Sequence, residues 1–226
     1  QLLDGTRIYE EGHSMYRMYL VDYAGVDPET GLAQYWAKDT NGEAIKTSDY
    51  AVAQAYKVAT DDLMPKVYGG FGTNLDAFGF DFSVQLAYQL GGSVYDSGYA
   101  RLMHSGMSSS AGTNWHKDIY NAWTPENRNT DVPRLNANDR YANSTSNRFV
   151  KSSDYLSLNN ITLGYTLPQS LIGDFNISRL RVYVTADNVA LLSARQGLDP
   201  RQSFTTATTA RYTPIRTVSG GLTLVF

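Results

Sequence analysis

The sequence predicts an all-β fold, an antiparallel transmembrane β-barrel of which this chain supplies a C-terminal fragment of about seven strands. Three patterns predict it. Residues 78–90 alternate strictly between apolar and other side chains, residues 217–226 alternate and end on Phe226, and short connections alternate with long ones. Because successive side chains of a strand point to opposite faces, each alternating row has one apolar face.

Composition excludes several classes of function. The 19 basic and 22 acidic residues give a formal net charge of -3, so no broad basic surface exists and no nucleic-acid partner is expected. The chain has no Cys, which excludes thiolate metal sites and a Cys nucleophile. No segment reaches the about 18 consecutive apolar residues of a membrane helix, a length that barrel strands do not need.

The alternation predicts strands at 15–23, 32–38, 66–74, 78–90, 160–167, 179–188 and 217–226. The clearest row places seven side chains on one face: Phe78, Phe80, Phe82, Val84, Leu86, Tyr88 and Leu90. We expect this row to contact lipid and the intervening Asp81, Gln85 and Gln89, with Asp187, to face the lumen. A bulge near Asn159–Asn160 is expected, because one extra residue moves the upstream Leu156 and Leu158 onto the apolar face.

The connections between these strands differ in length in a regular way. Short connections fall at about 24–31, 75–77 and 168–177, and long ones at about 39–65, 91–148 and 191–213. Outer-membrane barrels alternate short periplasmic turns with long external loops. Counting back from a periplasmic Phe226 places every long segment outside. Since an open sheet edge in lipid leaves backbone groups unpaired, the seven strands are expected to belong to a larger barrel.

Several blocks of the chain resemble one family. They are residues 153–172 (SDYLSLNNITLGYTLPQSLI), 177–193 (ISRLRVYVTADNVALLS), 197–201 (GLDPR), 214–226 (PIRTVSGGLTLVF) and 23–31 (YAGVDPETG). Together they resemble the end of a SusC/RagA-type TonB-linked outer-membrane transporter. The resemblance implies that residues 1–226 are the C-terminal portion of a barrel of about 22 strands. It also implies a signal peptide and a plug domain, and neither is visible in this chain.

The resemblance further implies what the protein does. It implies TonB-dependent import of oligomeric nutrients, most often glycans and sometimes peptides, across the outer membrane of a Gram-negative bacterium. It implies a SusD-type surface lipoprotein as a lid, TonB contacted through an upstream plug, and Phe226 as a signal for barrel assembly. Two alternatives stay open on the residues alone: a passive porin-like or structural barrel piece, and a soluble β-sandwich that binds carbohydrate, because a sandwich strand alternates in the same way.

The long segment 91–148 holds the candidate ligand contacts. The stretch TNWHKDIYNAW (113–123) predicts a short helix that begins at a Thr or Asn cap and ends before Pro125. Trp115 and Trp123 would share one face of this helix and stack on sugar rings, with His116 as a further ligand contact. The alternative interpretation, which we favour, is that this face packs the loop against the rim of the barrel or against the lid.

Catalysis has little support in the sequence. The three histidines, His13, His104 and His116, have no zinc-binding spacing, so we predict no catalytic residue, no metal site and no enzyme. A calcium ion in the loop Asp39 to Glu43 is an alternative without the EF-hand pattern, and a turn is favoured there. No cofactor is therefore expected.

The predicted faces differ in their tolerance of charge. We expect Leu86→Arg to reduce the free energy of barrel assembly by about 2–4 kcal/mol, because arginine on a lipid face near the bilayer midplane costs that much. Gln85→Arg, one position away on the lumen face, is the matched control and should assemble normally. The folded fraction of both variants in isolated outer membranes measures this difference, and equal assembly would contradict the assigned faces.

Overall fold

The computed structural model describes residues 1–202 and 213–226, apart from the side chains of Phe175 and Gln202. Residues 203–212 of the predicted loop 191–213 therefore lie outside the described residues. In the described ranges, no helix is both long and apolar enough to cross a membrane. The chain divides into two compact units: unit 1 contains residues 1–64 and 93–151, and unit 2 contains residues 65–92, 152–201 and 213–226.

The described secondary structure is dominated by strands. In chain order the strands are β1 (Leu2–Asp4), β2 (Arg7–Tyr9), β3 (Arg17–Leu20), β4 (Tyr23–Val26), β5 (Ala33–Lys38), β6 (Ala44–Thr47), β7 (Val58–Ala59), β8 (Val67–Ala77), β9 (Phe80–Leu90), β10 (Ser93–Tyr95), β11 (Val150–Ser152), β12 (Tyr155–Thr166), β13 (Arg179–Ser193) and β14 (Thr217–Val225). The α-helices are α1 (Tyr50–Ala53), α2 (Ser97–Leu102) and α3 (Gln169–Ile172).

Unit 2 is one antiparallel sheet of five strands in the order β14-β13-β12-β9-β8. Its strands have 9 to 15 residues, longer than the about 5–6 residues common in soluble proteins. The four predicted strands that begin at residues 66, 78, 160 and 179, and the terminal strand, are present. The antiparallel all-β prediction is thus confirmed, and the described residues form an open sheet and no closed barrel.

The β8–β9 hairpin turns on Phe78 and Gly79, because Ala77 pairs with Phe80. Both turn residues have positive φ, 53° and 84°, as a two-residue hairpin turn of this type requires. The predicted turn at 75–77 and the inclusion of Phe78 in the strand were wrong. Phe-Gly lacks the Asn-Gly or Asp-Gly signal that marks such turns, so the alternation alone extended the row by one position.

The predicted bulge is present in the middle of β12. Leu158 and Asn160 pair with consecutive residues of β9, so Asn159 is an extra residue. On the other side Asn159 lies opposite two residues of β13, Asn188 and Val189. Asn188 has φ 51° and does not end the strand as predicted. At this level β12 therefore has one residue more than β9, and β13 has one residue more than β12. These extra residues keep side chains of one type on one face of the sheet.

The bulge gives the sheet two chemically distinct faces. The apolar face includes Phe71, Leu75, Phe80, Val84, Leu86, Tyr88, Leu156, Leu163, Val184, Leu192, Val218 and Leu222. Most of these side chains are exposed, with Leu192 and Leu222 at 66% and 67% exposure, while Val84, Leu86 and Tyr88 are partly exposed. The apolar row predicted for residues 78–90, apart from Phe78 in the turn, thus extends over all five strands, with Gly69, Thr73 and Gly220 as its small members.

Unit 1 is built differently from the prediction. Segments 15–23 and 32–38 contain only the short strands β3 and β5, which belong to two different small sheets. Ala33, Tyr35 and Ala37 are apolar because their side chains lie in a buried core. The alternation of apolar residues in β5 therefore reflects burial within unit 1 and not contact with lipid. The described chain therefore has five long strands and not about seven. The predicted loops 39–65 and 91–148 lie within this unit and include α1, β6, β7, β10 and α2.

One asparagine joins the two segments of unit 1. The Asn147 side chain donates a hydrogen bond of 2.6 Å to Asp22 Oδ1 and accepts one of 2.8 Å from the Tyr23 backbone N–H. Its own N–H donates to the Val21 carbonyl. Nearby, the buried Tyr35 hydroxyl donates to a backbone oxygen of the second segment at 2.6 Å. Burial also raises the pKa of Tyr23 to about 12.

We expect Asn147→Ala to destabilise unit 1 by about 1–3 kcal/mol, because it leaves the Tyr23 N–H and the Asp22 carboxylate without partners. The matched control is Asn138→Ala, since the Asn138 side chain is exposed and should change stability by less than about 0.5 kcal/mol. The rate of proteolytic cleavage within residues 1–64 and 93–151 of the folded full-length protein measures the change. Equal cleavage rates in the two variants would contradict this role of Asn147.

Candidate functional site

The face of the unit 2 sheet opposite the apolar face is polar across its whole width. We call it the polar face; it includes Asp76, Asp81, Ser83, Gln85, Asn160, Thr162, Gly164, Arg181, Tyr183, Thr185, Asp187, Ser219, Gly221 and Thr223. Asp81, Gln85, Gln89 and Asp187 lie on one side of the sheet, as predicted. The strand register alone brings these side chains together from five separate segments.

An ion pair crosses the polar face above a glycine. Arg181 of β13 donates from Nε to Asp81 Oδ1 of β9 at 2.7 Å, and its Nη2 donates to Oδ2. Both hydrogen bonds pass over β12 at Gly164, whose added Cβ would overlap the carboxylate and lie 2.6 Å from the guanidinium. The pair therefore exists because the residue between its partners has no side chain.

A second glycine on the same face leaves room for an aromatic ring. Tyr183 pairs with Gly221 of β14, and a Cβ on Gly221 would lie 2.5 Å from the tyrosine ring. The Arg181 guanidinium lies 4.7 Å from the centre of that ring, within cation–π distance. Asp81, Arg181 and Tyr183 thus form a continuous row of side chains from β9 to β14.

A network of amides and hydroxyls lies farther along the polar face, towards the bulge. Asn160 Nδ2 donates to Asp187 Oδ1 at 2.7 Å and to the Thr185 hydroxyl at 3.0 Å. The Thr185 and Thr162 hydroxyls lie 2.8 Å apart in a hydrogen bond. These four side chains satisfy one another while remaining partly exposed, so they can exchange hydrogen bonds with a polar solute.

Beyond the bulge, a short segment after β13 folds onto the sheet. Arg201 donates two hydrogen bonds of 2.8 Å to the buried Asp199 carboxylate and one of 2.9 Å to the Ser157 hydroxyl of β12. Pro200 begins a 3-10 turn there. The bidentate pair with Asp199 holds the Arg201 guanidinium in place within the segment, and its hydrogen bond to Ser157 joins the segment to β12.

At the opposite end of the sheet a cavity of about 650 Å³ opens on the polar face. Its lining combines carboxylates and guanidinium groups: Asp76, Asp81, Arg179 and Arg181. Phe226 follows β14 at this same end, because Val225 pairs with Arg179. Phe226 is 84% exposed, and its assigned role in barrel assembly stays a prediction.

The predicted loop contacts do not form one binding site. Residues 113–123 contain a 3-10 helix at Lys117–Asn121 whose cap is His116, where an α-helix capped at residue 113 or 114 was predicted. Trp115 stacks on the His104 ring at 4.9 Å and donates its indole N–H to the His104 carbonyl. The ring of His116 instead contacts Tyr99 edge-on. The shared helical face of the two tryptophans was therefore wrong.

Trp123 packs inside unit 1. Its indole N–H donates to the Pro28 carbonyl at 3.1 Å, and its ring occupies the position that a Cβ on Gly31 would take. Gly31 has φ 72°, so the glycine permits both the turn and the ring. Trp123 thus holds two segments of unit 1 together, whereas Trp115 keeps 49% of its surface exposed. Ligand binding by Trp115, His116 or Trp123 stays a prediction.

In residues 1–202 and 213–226, no three or more His, Asp or Glu side chains are grouped to hold a metal ion. In the loop considered for calcium, Asp39 Oδ1 accepts the N–H groups of Asn41 and Glu43 at 2.8 and 2.9 Å. This is the geometry of a turn stabilised by its first aspartate. The expectation that the protein needs no cofactor stays a prediction.

Sequence reasoning missed two features of the site. It identified neither Gly164, which lies beneath the ion pair, nor Tyr183, whose ring occupies the space beside Gly221. The signal was available in part: a glycine in an alternating strand, flanked across the sheet by long polar side chains, marks such an approach. The partner of each glycine depends on register, which the sequence does not supply.

No family model matches the chain. Among curated proteins the chain is similar to TonB-dependent receptors of Formosa agariphila: receptor P3 is 27% identical over 98% of this chain and 23% of its own length, and receptor P26 is 26% identical over 81% and 18%. Among solved structures, the RagAB peptide transporter matches with a TM-score of 0.79 and 26% identity, over 99% of this chain and 24% of that chain.

The RagAB peptide importer in its "open-open" state matches with the same TM-score of 0.79 over 100% of this chain. This chain spans about a quarter of the length of the receptor P3 and RagAB chains that it matches. The similarity extends through both units, including the segments whose strands were predicted incorrectly. The resemblance to SusC/RagA-type TonB-linked transporters, first seen in the C-terminal third and in residues 23–31, is thus confirmed for the chain.

The ion pair on the polar face requires a residue without a side chain at position 164, and this requirement can be tested. We expect Gly164→Ala to destabilise the sheet by about 1–3 kcal/mol, because the methyl group separates two charged partners. Gly220→Ala is the matched control, since its Cβ meets only one backbone oxygen at 3.8 Å and should cost less than about 0.5 kcal/mol. Urea unfolding of the full-length protein in bilayers measures both.

A double-mutant cycle identifies the cause. In an Arg181→Ala background the ion pair is already lost, so Gly164→Ala should cost clearly less than it does in the native background. An equal cost in both backgrounds would show that the methyl group disturbs the backbone and not the ion pair.

Proposed function

We propose that this chain, similar along its length to SusC/RagA-type TonB-linked transporters, forms part of the barrel wall of an outer-membrane importer of oligomeric nutrients. The five strands of unit 2 cross the outer membrane of a Gram-negative bacterium. The apolar face contacts lipid and the polar face lines an aqueous passage. The protein is a transporter and not an enzyme, in agreement with relatives that are named as receptors and transporters.

One observation carries this proposal: a continuous apolar face that remains exposed across five long strands. In water such a face is unfavourable, since exposed apolar patches on soluble proteins rarely exceed a few hundred Å². In a bilayer it is the expected outer surface of a barrel, with the polar face inside. A soluble β-sandwich would instead bury the apolar face against a second sheet.

The connections of unit 2 support an orientation. The tight turn at Phe78–Gly79, the connection through α3 and the chain end at Phe226 all lie at one end of the sheet. Short connections are periplasmic in outer-membrane barrels, so this end faces the periplasm. The two segments of unit 1 join β8 and β9 at the other end of the sheet, and we assign them to the external side.

The relatives support a proposal for the energy coupling and the partners. TonB-dependent receptors and the RagAB transporter support import driven through TonB over a passive porin, with the plug supplied by sequence upstream of this chain. A SusD-type surface lipoprotein is the proposed lid. The peptide named for RagAB supports oligopeptides as a substrate class, beside the glycans that the family resemblance implied.

Uptake by intact cells tests the function. Cells that produce the full-length protein, its Leu86→Arg variant or its Gln85→Arg variant are given fluorescent oligopeptides and fluorescent oligosaccharides in parallel. We expect one of the two classes to accumulate with the native protein and Gln85→Arg, and to be lost with Leu86→Arg. Dissipating the proton gradient should stop this uptake, because TonB-driven import depends on it.

The outcomes are distinct. Uptake that persists without a proton gradient would favour the passive porin. Accumulation of both substrate classes that is the same in cells with and without the protein would contradict import altogether. Co-purification of a surface lipoprotein with the native protein is expected, and its absence under conditions that preserve uptake would contradict the lid.

A further inference from the structure

The hairpin turn between β8 and β9 contains an aromatic residue in an unfavourable backbone conformation. Phe78 has φ 53°, in the left-handed region. In that region the Cβ of an L-residue approaches the following carbonyl oxygen, so glycine and asparagine ordinarily occupy it. The paired register of Ala77 and Phe80 leaves only two residues for the turn, and Phe78 cannot avoid this conformation without shifting the hairpin.

The phenyl ring gains nothing from the protein in return. Phe78 is 98% exposed, so no packing offsets the strain of its backbone. The left-handed backbone therefore has a cost that no packing of the ring offsets within the protein, whereas an asparagine at this position, followed by Gly79, would form the turn without that cost. Backbone strain of this kind is retained where another part of the system compensates for it.

The surroundings of Phe78 indicate what compensates. At this end of the sheet the apolar face finishes with the rings of Phe80 and Tyr165, whose centres are 4.5 Å apart. Phe226 lies at the same end and is 84% exposed. Leu171, in the connection between β12 and β13, is 64% exposed. Phe78, Leu171 and Phe226 are thus exposed apolar side chains beyond the strand ends, at the end of the sheet where the apolar face finishes with aromatic rings.

We propose that Phe78 is a membrane-interface anchor, whose ring enters the headgroup layer of the leaflet at the periplasmic end of the sheet. Aromatic rings favour this layer, and burial of the ring there compensates for the left-handed backbone. The proposal rests on the proposed function, because it requires that the apolar face contact lipid. It adds a residue that lies outside the strands and fixes how deeply the hairpin sits.

Two substitutions separate an anchor from a simple turn residue. Phe78→Asn removes both the strain and the ring, whereas Phe78→Trp keeps an aromatic ring. If Phe78 only closes the turn, asparagine should increase the stability of the folded protein. If Phe78 anchors the hairpin, asparagine should lower the ratio of folded to unfolded full-length protein in bilayers by about tenfold, and tryptophan should preserve it. A ratio for Phe78→Asn that equals or exceeds the native ratio would overturn the proposal.

A depth measurement distinguishes failure of this proposal from failure of the proposed function. Nitroxide labels are attached to single cysteines that replace Phe78, Leu86 or Gln85 in the full-length protein, reconstituted in bilayers. Collision rates with oxygen, enriched in lipid, and with a water-soluble nickel complex give the depth of each label. We expect position 86 deep in the bilayer, position 78 at the headgroup layer and position 85 in water.

Each of the other results of the depth measurement leads to one conclusion. If position 86 lies in lipid but position 78 is fully accessible to nickel, the anchor is wrong and the lipid-facing sheet stands. If positions 86 and 85 are equally accessible to nickel, the apolar face does not contact lipid, and the proposed function and the anchor both fail.

Discussion

The register shift at Asn159 is the constraint on which the two-faced sheet of unit 2 depends. Without the extra residue, Leu156 and Leu158 would lie on the polar face, because a change of one position reverses every side chain of a strand. The neighbouring β13 compensates with Asn188 in a left-handed conformation. The shift therefore propagates from strand to strand, and both the apolar and the polar surfaces remain continuous over the length of the sheet.

Glycines determine what the polar face can present. Gly164 leaves room for the ion pair of Asp81 and Arg181, and Gly221 leaves room for the Tyr183 ring. Charged groups of both signs are thereby held in a fixed arrangement along one wall of the proposed passage. Bidentate pairs of this kind keep their geometry, so the wall offers oriented hydrogen-bonding groups to a polar oligomer without large rearrangement.

The long strands, the bulge and the resemblance could be predicted from the sequence because each leaves a local pattern, either an alternation or a short motif. Two predictions failed because the same pattern has two causes: in β5 alternation reflects a buried core around Tyr35, and at Phe78 it continues into a turn. The candidate site was only partly predictable. Its polar residues occupy every second position in their strands, and this alternation is visible in the sequence. The contacts of Trp115 and Trp123, in contrast, depend on packing between distant segments.

A cysteine scan through residues 155–166 of the full-length protein in native outer membranes tests directly whether the bulged strand β12 has one face in lipid. Each single cysteine is offered a lipid-soluble and a water-soluble thiol reagent. We expect the lipid-soluble reagent to label even positions up to 158 and odd positions from 161, with the change of phase at Asn159. A single uninterrupted phase, or equal labelling by both reagents along the strand, would contradict a bulged strand with one face in lipid.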